Sequence, residues 1–130
     1  MPWQRVTVSK PKVVINRGDY ALARVAFEQA IKINPENANA YYGLGTIHQR
    51  QGDIELALVA FKKAIQIKPE HTGAYMNLGI VYCYLEQYES AVVEIKKVIE
   101  INPKDTKAQR VLKYIYGQLG KQQECWERKK

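Results

Sequence analysis

The sequence predicts an all-α protein, a solenoid in which antiparallel helix pairs stack on one another. One observation is a period of 34 residues, kept by three alanines and by three prolines: Ala23, Ala57 and Ala91, and Pro35, Pro69 and Pro103. The other is that apolar side chains within each period recur at helical spacing. A fixed period of this length is typical of one helical unit repeated and stacked on itself.

Residues 38–71 and 72–105 are the two complete units, each a helix, a tight turn and a second helix. In the first helix, Tyr41, Leu44 and Gly45 follow the i, i+3, i+4 spacing of one stripe, and Tyr75, Leu78 and Gly79 repeat it. Glycine inside a helix costs about 1 kcal/mol relative to alanine. We therefore expect these glycines to permit close approach of the neighbouring helix.

The turn and the second helix follow the same register. Gly52 suits the left-handed conformation that ends a helix, and Glu86 occupies its slot in the next unit. Asp53 is expected to cap the second helix. Pro69 prevents that helix from continuing.

The two ends depart from the repeat. We divide the chain into a degenerate N-terminal segment (1–17) and an array (18–130). The array contains a half repeat (18–37), the two full repeats and a C-terminal partial repeat or capping helix (106–130). Pro11 excludes a regular helix through the missing first half, so at most a short helical piece, Lys12 to Arg17, is expected there. At the other end we expect a first helix from Thr106 to Leu119, followed by the start of a second.

These patterns resemble the tetratricopeptide repeat (TPR) family over about residues 18–120. The family's slots are filled twice, by Tyr41, Leu44-Gly45, His48, Ala57, Phe61, Ala64 and Pro69, and by Tyr75, Leu78-Gly79, Tyr82, Ala91, Ile95, Val98 and Pro103. The resemblance implies a right-handed α-solenoid. It also implies that the first helices line a concave groove where peptide segments of partner proteins dock.

Composition narrows the class of protein. The 130 residues are 46% hydrophobic and carry a formal net charge of +7, concentrated at the two ends of the chain. No stretch reaches the apolar length of a membrane span, and the N-terminus lacks the apolar core of a signal peptide. We therefore expect a cytoplasmic, intracellular protein. Cys83 and Cys125 form no metal-binding spacing, so free thiols and no metal or cofactor are predicted.

The candidate binding face lies opposite the apolar stripe of the first helices. Tyrosine and arginine are favoured at interaction hot spots, and an asparagine amide can both donate to and accept from a peptide backbone. The predicted groove residues are Tyr42, Thr46, Gln49, Arg50, Met76, Asn77, Ile80, Tyr84, Lys107, Arg110 and Tyr114. The alternative for Ile80, and for Cys83 and Val111 on the same face, is that they only pack against the adjacent first helices.

No catalytic site is predicted. His48 falls on the core stripe, and His71 follows Pro69 in a loop where we expect it to be solvated. Gly43-Leu44-Gly45 lies within a helix and has no preceding strand, so it is no phosphate-binding loop. The resembled family also contains a clamp of lysine, asparagine and arginine side chains that holds a chaperone's terminal carboxylate. Only Asn77 and Lys107 match it here, so no such clamp is expected.

Three functions remain open at this point. The first is a non-catalytic scaffold or adaptor that binds a partner's peptide or helix segment, acidic segments included, in the groove. The second is a self-associating module, or a fragment of a larger array, completed through the N-terminal half where Val25 and Phe27 lack their usual cover. The third is nucleic-acid binding by the basic ends, with affinity that falls steeply with salt.

Overall fold

The computed structural model of the protein describes residues 17–129, and these form six α-helices. The helices are α1 (Arg17–Ile33), α2 (Ala38–Arg50), α3 (Ile54–Ile67), α4 (Thr72–Tyr84), α5 (Tyr88–Ile101) and α6 (Thr106–Lys129). No strand occurs in this range. Each helix packs against its neighbours in sequence, and α2 also touches α4. The predicted all-α stack of helix pairs is confirmed.

The turn inside each full unit uses a left-handed residue in the same slot. Gly52 has a φ of 85°, and Glu86 has a φ of 59°, the one non-glycine residue with positive φ between residues 17 and 129. The backbone after each turn enters the second helix directly. Glu86 therefore adopts a conformation that costs a side-chain-bearing residue about 1–2 kcal/mol.

The expected cap at Asp53 is not formed. Asp53 holds the N-cap position of α3, but its side chain makes no capping hydrogen bond, and Gln87 behaves likewise at α5. The ψ angles there are 72° and 71°, against 92° and 91° at Asn37 and His71, whose side chains do cap. The second helices are thus started by the left-handed turn, not by a side chain.

Side-chain caps open the first helices instead. Asn37 Oδ1 accepts from the Ala40 backbone N–H at 3.0 Å, and Asp105 Oδ1 accepts from that of Ala108 at 2.9 Å. Between them His71 fills the equivalent position at α4. The expectation that His71 is a solvated loop residue was wrong, since it is half-buried and caps a helix.

Most of the buried side chains among the described residues fall into two clusters, one at each helix-pair junction. The first contains Ala57, Phe61, Ala64, Ala74, Leu78 and Val81. The second contains Tyr75, Met76, Tyr88, Ala91, Ile95, Val98, Ala108 and Ile115. Because each cluster draws on both a helix pair and the following first helix, neither pair could bury its face alone.

Close helix approach at the two core glycines is also confirmed. A Cβ at Gly45 would lie 2.8 Å from the Phe61 ring, and a Cβ at Gly79 would overlap the Ile95 side chain. The neighbouring groups are thus the large side chains of the second helices, which occupy the space that each glycine leaves.

The ends differ from expectation in one respect. Residues 106–129 form a single helix, so the predicted break after Leu119 was wrong. Gly120 has no positive φ and no proline follows it, so nothing there stops the helix. The short piece predicted over Lys12 to Arg17 lies, except for its last residue, outside the described residues.

Candidate functional site

The first helices α2, α4 and α6 carry two adjoining cavities between them. The larger, here the α4–α6 cavity, has a volume of about 380 Å³. Its lining consists of Ile80, Cys83, Lys107, Arg110, Val111 and Tyr114. Four of these are predicted groove residues, and they come from two different first helices.

The second, the α2–α4 cavity, has a volume of about 310 Å³. Its lining consists of Gln49, Arg50, Gly52, Ile54, Ile80, Val81 and Tyr84. Since Ile80 lines both cavities, the two are neighbours and present one surface. Seven of the eleven predicted residues therefore meet on this surface.

Helical spacing explains why these side chains converge. On α6, Lys107, Arg110, Val111 and Tyr114 stand at i, i+3, i+4 and i+7, which is one face of a helix. On α4, Ile80 and Cys83 stand at i and i+3 and face them. The repeat places the two helices side by side, so both stripes open onto the same space.

The α4–α6 cavity combines an apolar floor with a positive rim. Ile80, Cys83 and Val111 are half-buried and pack against the second core cluster. Burial raises the pKa of the Cys83 thiol, so the sulfur is neutral at pH 7 and acts as an apolar group. Lys107 and Arg110 are exposed, and no acidic residue lines the cavity. Such a site suits an apolar side chain with a carboxylate beside it.

Met76 does not lie in the groove, contrary to prediction. Its side chain is 7% exposed and belongs to the second core cluster. The face opposite the stripe is exposed only on a helix packed from one side, and α4 is covered by several neighbours. Six of its residues are buried, and such a helix has no single apolar stripe to guide the prediction.

Tyr42 and Thr46 line neither cavity. Tyr42 is half-buried, with its ring centroid 5.9 Å from that of Phe61 and 4.8 Å from that of His71. The Thr46 hydroxyl donates to the Tyr42 carbonyl at 3.0 Å. Tyr42 therefore packs at the junction between α2 and its neighbours, whereas the Thr46 hydroxyl bonds within its own helix.

Asn77 is the remaining predicted residue, and it stands beside the cavities. It shares a face of α4 with Ile80 and Tyr84, at i, i+3 and i+7. Among residues 17–129 its amide makes no side-chain hydrogen bond and is half-buried. The amide is therefore free to bond a peptide backbone.

The sequence interpretation missed Gly52, Ile54 and Val81 as lining residues. The predicted face covered only the outer side of the first helices, whereas Gly52 and Ile54 belong to the turn and the start of α3, and Val81 is a buried residue of α4. Because this turn directly follows α2, its position in the repeat could have indicated that Gly52 and Ile54 lie at the groove.

Residues 17–129 contain no group of three or more His, Cys, Asp or Glu side chains placed to hold a metal ion. No helix within that range combines the length and apolar character needed to cross a bilayer. His48 is half-buried on the stripe, and its Nδ1 is buried without a hydrogen-bond partner among the described residues.

The fold and its paired cavities define a tetratricopeptide-type helical repeat. More specifically, the chain belongs to the family described as the Cilia and flagella-associated protein 70 middle TPR-like domain, whose model matches residues 16–129. A search of curated proteins finds no match.

Solved structures of the same fold are numerous, with 217 matching chains. One is the first TPR of Spaghetti (RPAP3) bound to the HSP90 peptide SRMEEVD: 21% identity, TM-score 0.75, covering 80% of this chain and 82% of that one. The MamA protein matches at 24% identity and TM-score 0.74, over 85% of this chain and 60% of that one. A mutant Thermobaculum terrenum O-GlcNAc transferase matches at 26% identity and TM-score 0.69, over 75% of this chain and 19% of that one. The chain thus spans less than two thirds of the last two proteins.

Proposed function

We propose that the protein is a non-catalytic scaffold that binds a peptide or helix segment of a partner protein across the two cavities. In this proposal an apolar side chain of the partner enters the α4–α6 cavity. A neighbouring Asp or Glu pairs with Lys107 and Arg110, and Asn77 bonds the partner's backbone. The observation that carries the proposal is the apolar floor beneath two unopposed cations.

Shape and charge both support this proposal. Volumes of 300–1,000 Å³ are usual for binding pockets with a mainly apolar lining. Burying one medium-sized apolar side chain stabilises a complex by roughly 1.5–3 kcal/mol, and an exposed ion pair adds about 0.2–1 kcal/mol. One filled cavity would therefore give weak binding. A segment that also contacts Tyr84 and Arg50 in the α2–α4 cavity would reach useful affinity.

The comparisons support the same class of function. A solved neighbour of this fold carries a bound peptide, and that peptide contains apolar and acidic residues. The family description associates its members with cilia and flagella, so proteins of those structures are the first partners to test. A location in the cytoplasm, as the sequence predicts, is compatible with this setting.

The partner chemistry can be tested by selecting binders from a random peptide library on the full chain. We expect enrichment of peptides that place a large apolar residue beside Asp or Glu. The double variant Lys107→Glu/Arg110→Glu should weaken their binding by about tenfold or more, because two attractions become repulsions.

A matched control comes from the same helix. Lys113 and Lys121 are exposed on α6 and line neither cavity, so Lys113→Glu/Lys121→Glu changes the charge equally. This control should retain binding. Equal loss in both double variants would show that only net charge matters and would remove the proposed site.

A second candidate function is self-association through α1. Leu22 and Val25 are 71% and 49% exposed on this helix, which are large values for apolar side chains. We expect the protein to form dimers or larger species in light scattering, and Leu22→Glu/Val25→Glu to return it to the monomer. A monomer at high protein concentration would remove this candidate.

A further inference from the structure

The cap of α4 differs chemically from the caps of the other first helices. Asn37, His71 and Asp105 are 34 residues apart and occupy the same position in each unit. Each side chain accepts a hydrogen bond from the backbone N–H three residues later. Of these three residue types, only histidine has an ordinary pKa between pH 5 and 8.

Both ring nitrogens of His71 are used, and together they fix its protonation state. Nδ1 accepts from the Ala74 backbone N–H at 3.1 Å, so it carries no proton. The neutral ring must then carry its proton on Nε2, which lies 3.0 Å from Asn39 Oδ1 and donates to it. His71 therefore joins the first turn of α4 to the first turn of α2, and it does so as the neutral Nε2–H tautomer.

Protonation would break one of these two bonds. A proton on Nδ1 turns the acceptor into a donor that faces the Ala74 N–H. The bond from Nε2 to Asn39 can persist, but α4 loses its cap. A positive charge would also stand at the N-terminus of a helix, where the dipole disfavours cations.

The surroundings favour the neutral ring. The groups that face it are the Tyr42 ring of α2 at 4.8 Å, and Lys68 and Glu70 of its own loop. The first turn of α4 contains no acidic residue. Burial lowers the pKa of His71, and Lys68 acts in the same direction, while a backbone hydrogen bond and Glu70 oppose the shift.

We propose that His71 is an acid-sensitive joint between the two full repeats, which holds α4 to α2 when neutral and releases the first turn of α4 when protonated. Because the folded state prefers the neutral ring, this stabilisation is complete above the ordinary histidine pKa of about 6.5. It is lost as the pH falls from there through the lower pKa of the folded protein.

The direct test is an NMR titration of the wild-type protein from about pH 7.5 to about pH 5, across the ordinary histidine pKa. We expect the His71 ring to titrate below about 6.5, and the Ala74 amide to shift and exchange faster with the same midpoint. The amide of Ala108, which Asp105 caps at the start of α6, should not follow that midpoint. A His71 midpoint above about 6.5, or an Ala74 amide that does not move with it, would overturn the proposal.

Substitution gives a second measurement. His71→Asn installs the residue that caps α2 and removes the titration, so the fall in thermal midpoint on acidification should be smaller than in the wild type. His48→Tyr removes the other histidine of the chain, using the residue that Tyr82 provides in the next unit, and should keep the wild-type pH response. Equal acid responses in wild type and His71→Asn would refute the joint.

Discussion

At the residue scale, Gly52 and Glu86 occupy the same turn position in successive repeats, and the exchange of glycine for glutamate there has a cost in folding free energy. Both residues adopt positive φ, but only glycine does so without a steric penalty. The penalty for Glu86 is about 1–2 kcal/mol, and part of it is offset because glycine loses more entropy on folding. The second unit therefore folds in spite of its turn residue.

This balance predicts the effect of exchanging the two residues. Glu86→Gly should raise the free energy of unfolding by about 0.5–1 kcal/mol, and Gly52→Glu should lower it by at least as much. Denaturant unfolding of each variant measures the change in the free energy of unfolding. A stabilising Gly52→Glu substitution would contradict the argument, since nothing lies within 4 Å of a Cβ at that site to compensate.

Single residues also mark where sequence reasoning succeeded and where it failed. The glycine slot was predictable, because φ preference is a local property that the repeat displays. The caps were not predictable, because they depend on backbone ψ. This angle differs by about twenty degrees between Asp53 and His71, and the sequence does not reveal it. His71 in particular needed Asn39 and Tyr42, which only the fold brings to it.

At the element scale, the two helices of each full repeat approach each other closely at a glycine. The Phe61 ring of α3 lies against Gly45 of α2, and α2 and α3 pack closely along their length. A ring held in a buried cluster cannot move aside cheaply, since cores are close-packed. The spacing of this pair therefore depends on the missing side chain.

A pair of alanine substitutions tests this dependence. Gly45→Ala should destabilise the protein by about 1–3 kcal/mol through overpacking. Gly117→Ala, on the exposed side of α6 with nothing near its Cβ, should stabilise it by about 0.5–1 kcal/mol through helix propensity. Thermal or chemical unfolding distinguishes the two signs, and a stabilising Gly45→Ala would contradict the packing account.

Helix patterns predicted some elements better than others. The second helices, with one buried stripe each, were placed correctly from Ala57, Phe61 and their counterparts. The helix α4 is buried on several sides. Its face opposite the stripe was predicted to line the groove, but Met76 on that face is buried in the core. For α6, the repeat suggested a turn that the chain does not make, since the repeat pattern weakens after Leu119.

At the scale of the whole molecule, stacking creates the candidate site. Neither cavity belongs to one repeat. The α4–α6 cavity combines equivalent positions of successive repeats, such as Ile80 and Tyr114, and Ile80 also lines the α2–α4 cavity. The period predicted that the first helices face one side. It could not show that Lys107 and Arg110 lie over an apolar floor, since that depends on which side chains α4 buries.

The central claim is that a partner segment binds at the α4–α6 cavity, and photo-crosslinking from defined positions tests it most directly. A photoreactive phenylalanine analogue would replace Tyr114 in the cavity or Val93, which is 64% exposed on α5 and lines neither cavity. Each protein would be irradiated with a peptide selected from the random library. We predict a crosslink from position 114 and none from position 93. A crosslink of equal or greater yield from position 93 would contradict the account.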